Sequence, residues 1–194
     1  MATSRTSSST SITGRSRHAG PDMRLPADGT LIVVGAQEAI ERPCPSVRDG
    51  RSVEANLASL IAAWRKEGLP VVHVRLDGAS ESPFEACGAP LQGETVIDAS
   101  AESAFAGSGL EGLLDDAGAT TLVLCGALNA VEPTARDAGD LGYQIFIPFD
   151  ACWPAASAAA RLSRETAAVV DTAAALNAAA TAKMLERRES ERKR

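Results

Sequence analysis

Four short apolar runs punctuate the chain: Thr30–Val34 (TLIVV), Pro70–Asp77 (PVVHVRLD), Thr120–Cys125 (TTLVLC) and Tyr143–Pro148 (YQIFIP). Each is rich in β-branched residues, as suits strands buried on both faces. Between the first two, Val53, Leu57, Leu60, Ile61 and Trp64 recur at helical spacing, so Ser52–Gly68 reads as an amphipathic helix. Ser52 is its expected N-cap, and Gly68 with Pro70 its stop. A long loop is expected over Gly78–Gly93, and loops of that length are usually functional or mobile. Gly107–Ala117 reads as a short helix leading into the Thr120 run. Gly126 is expected to break that strand. Val131–Leu141 then reads as a helix, opened by Glu132 and Pro133 and closed by Gly142. From Ala155 to Lys183 the chain is alanine-rich. There Leu162, Val169, Ala173, Leu176, Ala180 and Met184 trace a helical apolar face, and no sixth strand is visible.

Strands alternating with helices predict an α/β chain: a three-layer, Rossmann-like fold with a mostly parallel sheet and helices on both faces. Ligands bind such sheets beyond the carboxyl ends of the strands, which puts the expected site at Gly126–Val131. Residues 1–22 are rich in Ser, Thr and Arg and poor in apolar side chains, and read as a disordered tail. Residues 23–186 read as one domain and 187–194 as a charged C-terminal tail. The start is open between Met1 and Met23.

Charge narrows the partners. The formal net charge of the 194 residues is −6, but both ends are basic, with +3 over residues 1–20 and +3 over 181–194. The body between carries −12, which argues against nucleic-acid binding. No apolar run nears the roughly 20 residues of a membrane span. Cys44, Cys87, Cys125 and Cys152 show no metal-ligand spacing and read as reduced thiols of a cytoplasmic protein. Cys125, at a strand end, reads as a small core residue. The Arg- and Ser-rich N-terminus is also compatible with an organelle transit peptide. His18 and His73 are the only histidines, too few for a zinc site in the body; no cofactor is expected.

Three separated segments carry a resemblance. They are Gly35-Ala36-Gln37 after the first run, Ser103-Ala104-Phe105 with Gly107 and Leu110, and Val131-Glu132 followed by Thr134-Ala135-Arg136-Asp137, Leu141-Gly142-Tyr143 and Asp150-Ala151. In order and spacing they resemble the isochorismatase-like, or cysteine hydrolase, family. The resemblance implies a catalytic Asp base, a Lys and a Cys nucleophile. Here the Asp position holds Gly35, the Lys position Ala99, and the Cys position, counted back from Thr134, Ala130. Counted forward from Gly126 it falls on Glu132. Neither register supplies a thiol. Glycine accepts no proton, and alanine neither steadies a developing anion nor lowers a thiol pKa.

Family members that cleave a vinyl ether lack the cysteine but keep the aspartate; this chain has neither. Loss of every member of one catalytic unit leaves only binding and backbone donors. The expectation is a non-catalytic protein that binds a small molecule or assembles as a homo- or hetero-oligomer through family-type interfaces. The alternative is a hydrolase of a small C–N or vinyl-ether substrate using carboxylates such as Asp98, Glu102 or Glu132. The ordinary reading of each is a surface or helix-start acid. Gln37, Phe105, Asn129 and Glu132 are the expected lining of what remains of the pocket, which is expected to stay open.

Overall fold

In the strand β1 (Thr30–Val34), Leu31 and Val33 face one side of the sheet while Ile32 and Val34 face the other. That alternation organises two apolar cores. The computed structural model describes residues 29–38, 53–77, 81–100, 102–153 and 167–192. The elements that follow β1 are α1 (Val53–Glu67), β2 (Val71–Leu76), β3 (Thr95–Ala99), α2 (Leu110–Asp116), β4 (Thr121–Ala127) and α3 (Leu128–Asp140). Then come β5 (Gln144–Pro148), β6 (Cys152–Trp153), β7 (Ala168–Val170) and α4 (Thr172–Arg192). The tail 1–22, Met23, Cys44, the Ser52 cap and Leu162 lie outside the described residues.

The strand order is β3-β2-β1-β4-β5-β7, every neighbouring pair is parallel, and β6 adds to the end of β4. Helices α1 and α4 pack on one face with Leu31, Val33, Val123, Cys125 and Phe146. Helices α2 and α3 pack on the other with Ile32, Val34, Leu122, Leu124, Ile145 and Ile147. The three-layer parallel architecture expected from the pattern is thus the one observed. The predicted stripe of α1 is buried in full, and Trp64 Nε1 donates to the Gly29 carbonyl at 3.0 Å.

Four local expectations are corrected. Gly126 does not break its strand: β4 runs through it and passes directly into α3, which begins at Leu128 rather than Val131. A Cβ on Gly126 would stand 2.1 Å from the Val34 carbonyl oxygen, so glycine here is the condition for pairing with β1, not a stop. Second, Ala168–Val170 is a sixth strand of the main sheet, paired along β5 from Phe146 to Pro148. Pairing at the sheet edge overrides the helix preference of an alanine-rich segment. Third, α4 buries Ala175, Ala178, Ala179 and Ala182, while Ala173, Ala180 and Met184 face solvent. With the helix starting only at Thr172, its small residues meet α1, and the predicted stripe through Val169 has no helix to run along. Helix α2 also starts later than expected, at Leu110.

Candidate functional site

The strand order changes direction between β1 and β4, so the crevice for a ligand belongs beyond Val34 and Ala127. Gly35 is the first residue past β1. It is buried, has φ +62°, and its N–H donates to the Val74 carbonyl at 2.9 Å. A Cβ built on it would lie 2.7 Å from Leu76 Cδ1 and 3.2 Å from Ala127 Cβ. The place where a base would grow is therefore filled by the Leu76 side chain. Leu76 sits opposite Ala99 in the β2–β3 register. Ala99 is buried, and its carbonyl accepts from the Asp77 N–H at 2.9 Å. Ala130, in the first turn of α3, is fully buried in the same apolar cluster, with Leu76, Ala99, Ala104, Leu128 and Val131.

Gln37 is fully buried, and its Oε1 accepts from the Leu76 N–H at 2.8 Å. The glutamine therefore fixes the residue that fills the slot beside Gly35. Phe105 stacks on Tyr143, just ahead of β5, with ring centroids 6.3 Å apart. Asn129 is exposed on α3 and Glu132 is half-buried one turn on. Asp98 alternates with Ala99 to the exposed side of β3 and lies 3.6 Å from Arg75; Glu102 is exposed.

The two fully buried thiols, Cys125 and Cys152, are equally unsuited to attack. Cys125 is fully buried with Sγ 3.7 Å from the Ile32 carbonyl, and burial pushes its pKa well up. Cys152 donates to the Pro148 carbonyl at 3.5 Å; burial pushes it up to about 12 even with the Gly126 N–H pulling the other way. A thiol kept protonated is a poor nucleophile.

Residues that sequence reasoning matched without assigning work turn out to hold the fold. Thr134 Oγ1 accepts from the Ala104 N–H at 2.8 Å, and Ser103 Oγ donates to Asp137 at 2.5 Å. The two motifs are thus one clamp between the loop after β3 and two successive turns of α3. Asp150 accepts from both the N–H and the hydroxyl of Thr172 at 2.8 Å, capping α4, while its carbonyl accepts from Asn56 of α1. Burial pushes the Asp150 carboxyl up, and the Thr172 bonds pull it back. Thr134 and Asp137, at i and i+3 on α3, with Ser103 in a separate segment, were the available signal, but one sequence does not say that they meet.

A cavity of about 440 Å³ opens at the other end of the sheet, among Thr30, Leu69, Val72, Leu113 and the Arg65–Glu94 pair. It is remote from the crevice that the strand order marks, and its carboxylate is already occupied by protein donors.

Residues 30–183 match the isochorismatase domain, and that match decides the kinship. The chain belongs to the isochorismatase family. A streptothricin hydrolase of Streptomyces noursei is 34% identical over 132 residues, covering 62% of this chain and 48% of that protein. A second one is 33% identical over 132 residues, so the chain spans about half the length of these curated relatives. Among solved structures, an isochorismatase-family protein of Chromobacterium violaceum is similar with a TM-score of 0.71 at 30% identity, covering 83% of this chain and 98% of that one. An isochorismatase of Pseudomonas putida has a TM-score of 0.66 at 30% identity, covering 79% and 92%. Among the described residues, no helix is long and apolar enough to cross a membrane.

Proposed function

We propose that this isochorismatase-family domain is catalytically silent at the family site and acts as a non-catalytic ligand-binding or assembly protein. One observation carries the reading: Leu76 occupies the slot beside Gly35, and the Ala99 and Ala130 positions are closed into the same apolar cluster. Hydrolysis of a C–N bond or a vinyl ether needs a proton carrier and a stabilised developing charge at one place. Buried glycine and alanines supply neither. The carboxylate alternative is less favoured, because Asp98 is on the exposed side of its strand, across from Ala99. The alanine stripe of α4 is spent on α1 within the chain, so assembly would use other surface, such as that around the exposed Leu91 and Met184.

The test is turnover of streptothricin, isochorismate-, nicotinamide- and carbamoyl-type substrates by purified protein, with and without a thiol alkylator. No rate above the protein-free blank is expected for any of them. Enzyme-dependent turnover that Gly35→Ala or alkylation abolishes would overturn the proposal.

A further inference from the structure

His73 is the one histidine of the domain body, and its side chain is fully excluded from solvent. Its Nε2 lies 3.0 Å from Glu94 Oε2. Glu94 also accepts from Arg65 through Nε and Nη2, both at 2.7 Å, and from the Leu91 N–H at 2.8 Å. Arg65 Nη2 reaches on to the Ala89 carbonyl at 2.9 Å. The cluster is thus bolted to residues 81–94, which join β2 to β3. The same segment crosses the end of β1: Phe84 forms an antiparallel bridge with Gln37, with Glu38 N–H to Pro83 O at 3.0 Å and Glu85 N–H to Ala36 O at 2.9 Å. Phe84 also meets the His73 ring edge-on at 6.0 Å.

We propose that His73, Glu94 and Arg65 form a proton-sensitive lock: neutral His73 holds residues 81–94 across the end of β1, and proton uptake by His73 releases them. The argument is one of hydrogen-bond counting. Glu94 offers only acceptors, so the neutral imidazole carries its proton on Nε2. Its Nδ1 is then a buried lone pair with no hydrogen bond, although the Gly88 backbone beside it favours the charged ring. A second proton makes two cations share one carboxylate, with the His73 ring itself shut off from solvent. Burial, the largest influence, keeps the His73 pKa below its ordinary value, and Arg65 adds to this against the pulls of Glu94 and of the Gly88 backbone. With the segment lifted, the imidazole is solvated and regains its ordinary affinity, so opening takes up a proton.

Few other charges face this ring. Glu94, just before β3, and Arg65 of α1 flank it. Arg75, on the same face of β2, lies over the Phe84 ring at 5.5 Å and near Asp98. Glu85 and Cys87 ride on the segment itself. Arg65 holds Glu94 down at about 2, so Glu94 stays charged while His73 titrates.

The test is amide hydrogen exchange of the full chain at pH 7 and pH 5.5, corrected for intrinsic rates. The Glu38, Glu85 and Leu91 amides report the segment, and Val123 in β4 reports global opening. With an ordinary imidazole pKa in the open form, opening rises up to about eightfold over that range. Global opening solvates His73 too, so Val123 carries the same linkage but exchanges far more slowly, and His73→Gln, which keeps a donor for Glu94, removes the pH dependence. Segment amides that do not respond in the native chain, or that respond equally in His73→Gln, overturn the proposal. So does a His73 ring titration, followed by NMR in the unmutated protein, with a midpoint at or above about 6.5; this arm stands even when the variant does not fold.

Discussion

Gly35→Ala tests the filled slot directly. Two penalties act at once. The residue sits at φ +62°, where a side chain costs about 1–2 kcal/mol. The new methyl also meets Leu76 Cδ1 at 2.7 Å inside a closed cluster, and overpacking of this kind costs about 1–3 kcal/mol. The expected loss is therefore about 2–5 kcal/mol, with the urea m-value unchanged. Gly35→Asp, the family residue, should be worse, because it adds a carboxylate with no partner. A cycle with Leu76→Ala separates the terms. Leu76→Ala alone opens a cavity at about 2–5 kcal/mol. In that background Gly35→Ala should cost only the backbone part, leaving a favourable coupling of about 1–3 kcal/mol. A Gly35→Ala cost within about 0.5 kcal/mol of zero, or one that Leu76→Ala leaves untouched, would refute the filled slot and reopen the case for a working crevice.

The clamp predicts that Thr134→Val, which strands the buried Ala104 N–H, costs about 1–3 kcal/mol in urea unfolding, and that Thr134→Ser recovers most of it. Glu94, held at about 2 against 4.5 when free, contributes stability that is complete above about pH 4.5 and lost as pH falls toward 2. Solvent screening limits this to about 1–2 kcal/mol, and acid titration of Glu94→Gln should show a correspondingly shallower decline. The assembly part of the proposal predicts a species larger than the 20.0 kDa chain in light scattering at micromolar concentration; a monomer alone counts against it.

The parts of this molecule legible in its sequence are those where local pattern and tertiary demand coincide. The β1 and β4 runs are apolar at every position because both faces are covered, and the α1 stripe is read correctly because a single face meets the sheet. Legibility fails where the partner decides. Ala168–Val170 is a strand only because β5 offers an edge, and nothing in three residues announces that. Gly126 looked like a stop because glycine usually punctuates, yet here it lets the β4 backbone pass within reach of Val34. At the crevice the resemblance pointed to Gly35, Ala99 and Ala130 but not to what packs around them. Leu76 reads as one more apolar residue of β2, and only the φ of Gly35 and the Gln37 bond to the Leu76 N–H turn it into the plug.

That plug also separates two kinds of motif residue. Under the proposal, positions that would touch substrate in a hydrolase carry small or apolar groups here. Those that hold backbone N–H groups and helix ends cannot be lost cheaply, because a buried donor without a partner costs about 1–3 kcal/mol. Thr134, Asp137, Ser103 and Asp150 all make such bonds. Their presence beside Gly35, Ala99 and Ala130 fits the proposal of a domain that works through its shape and surface. Substituting the clamp residues should therefore damage whatever this protein does through folding, whereas Ala99→Lys or Ala130→Cys should add no hydrolysis while Leu76 remains in place.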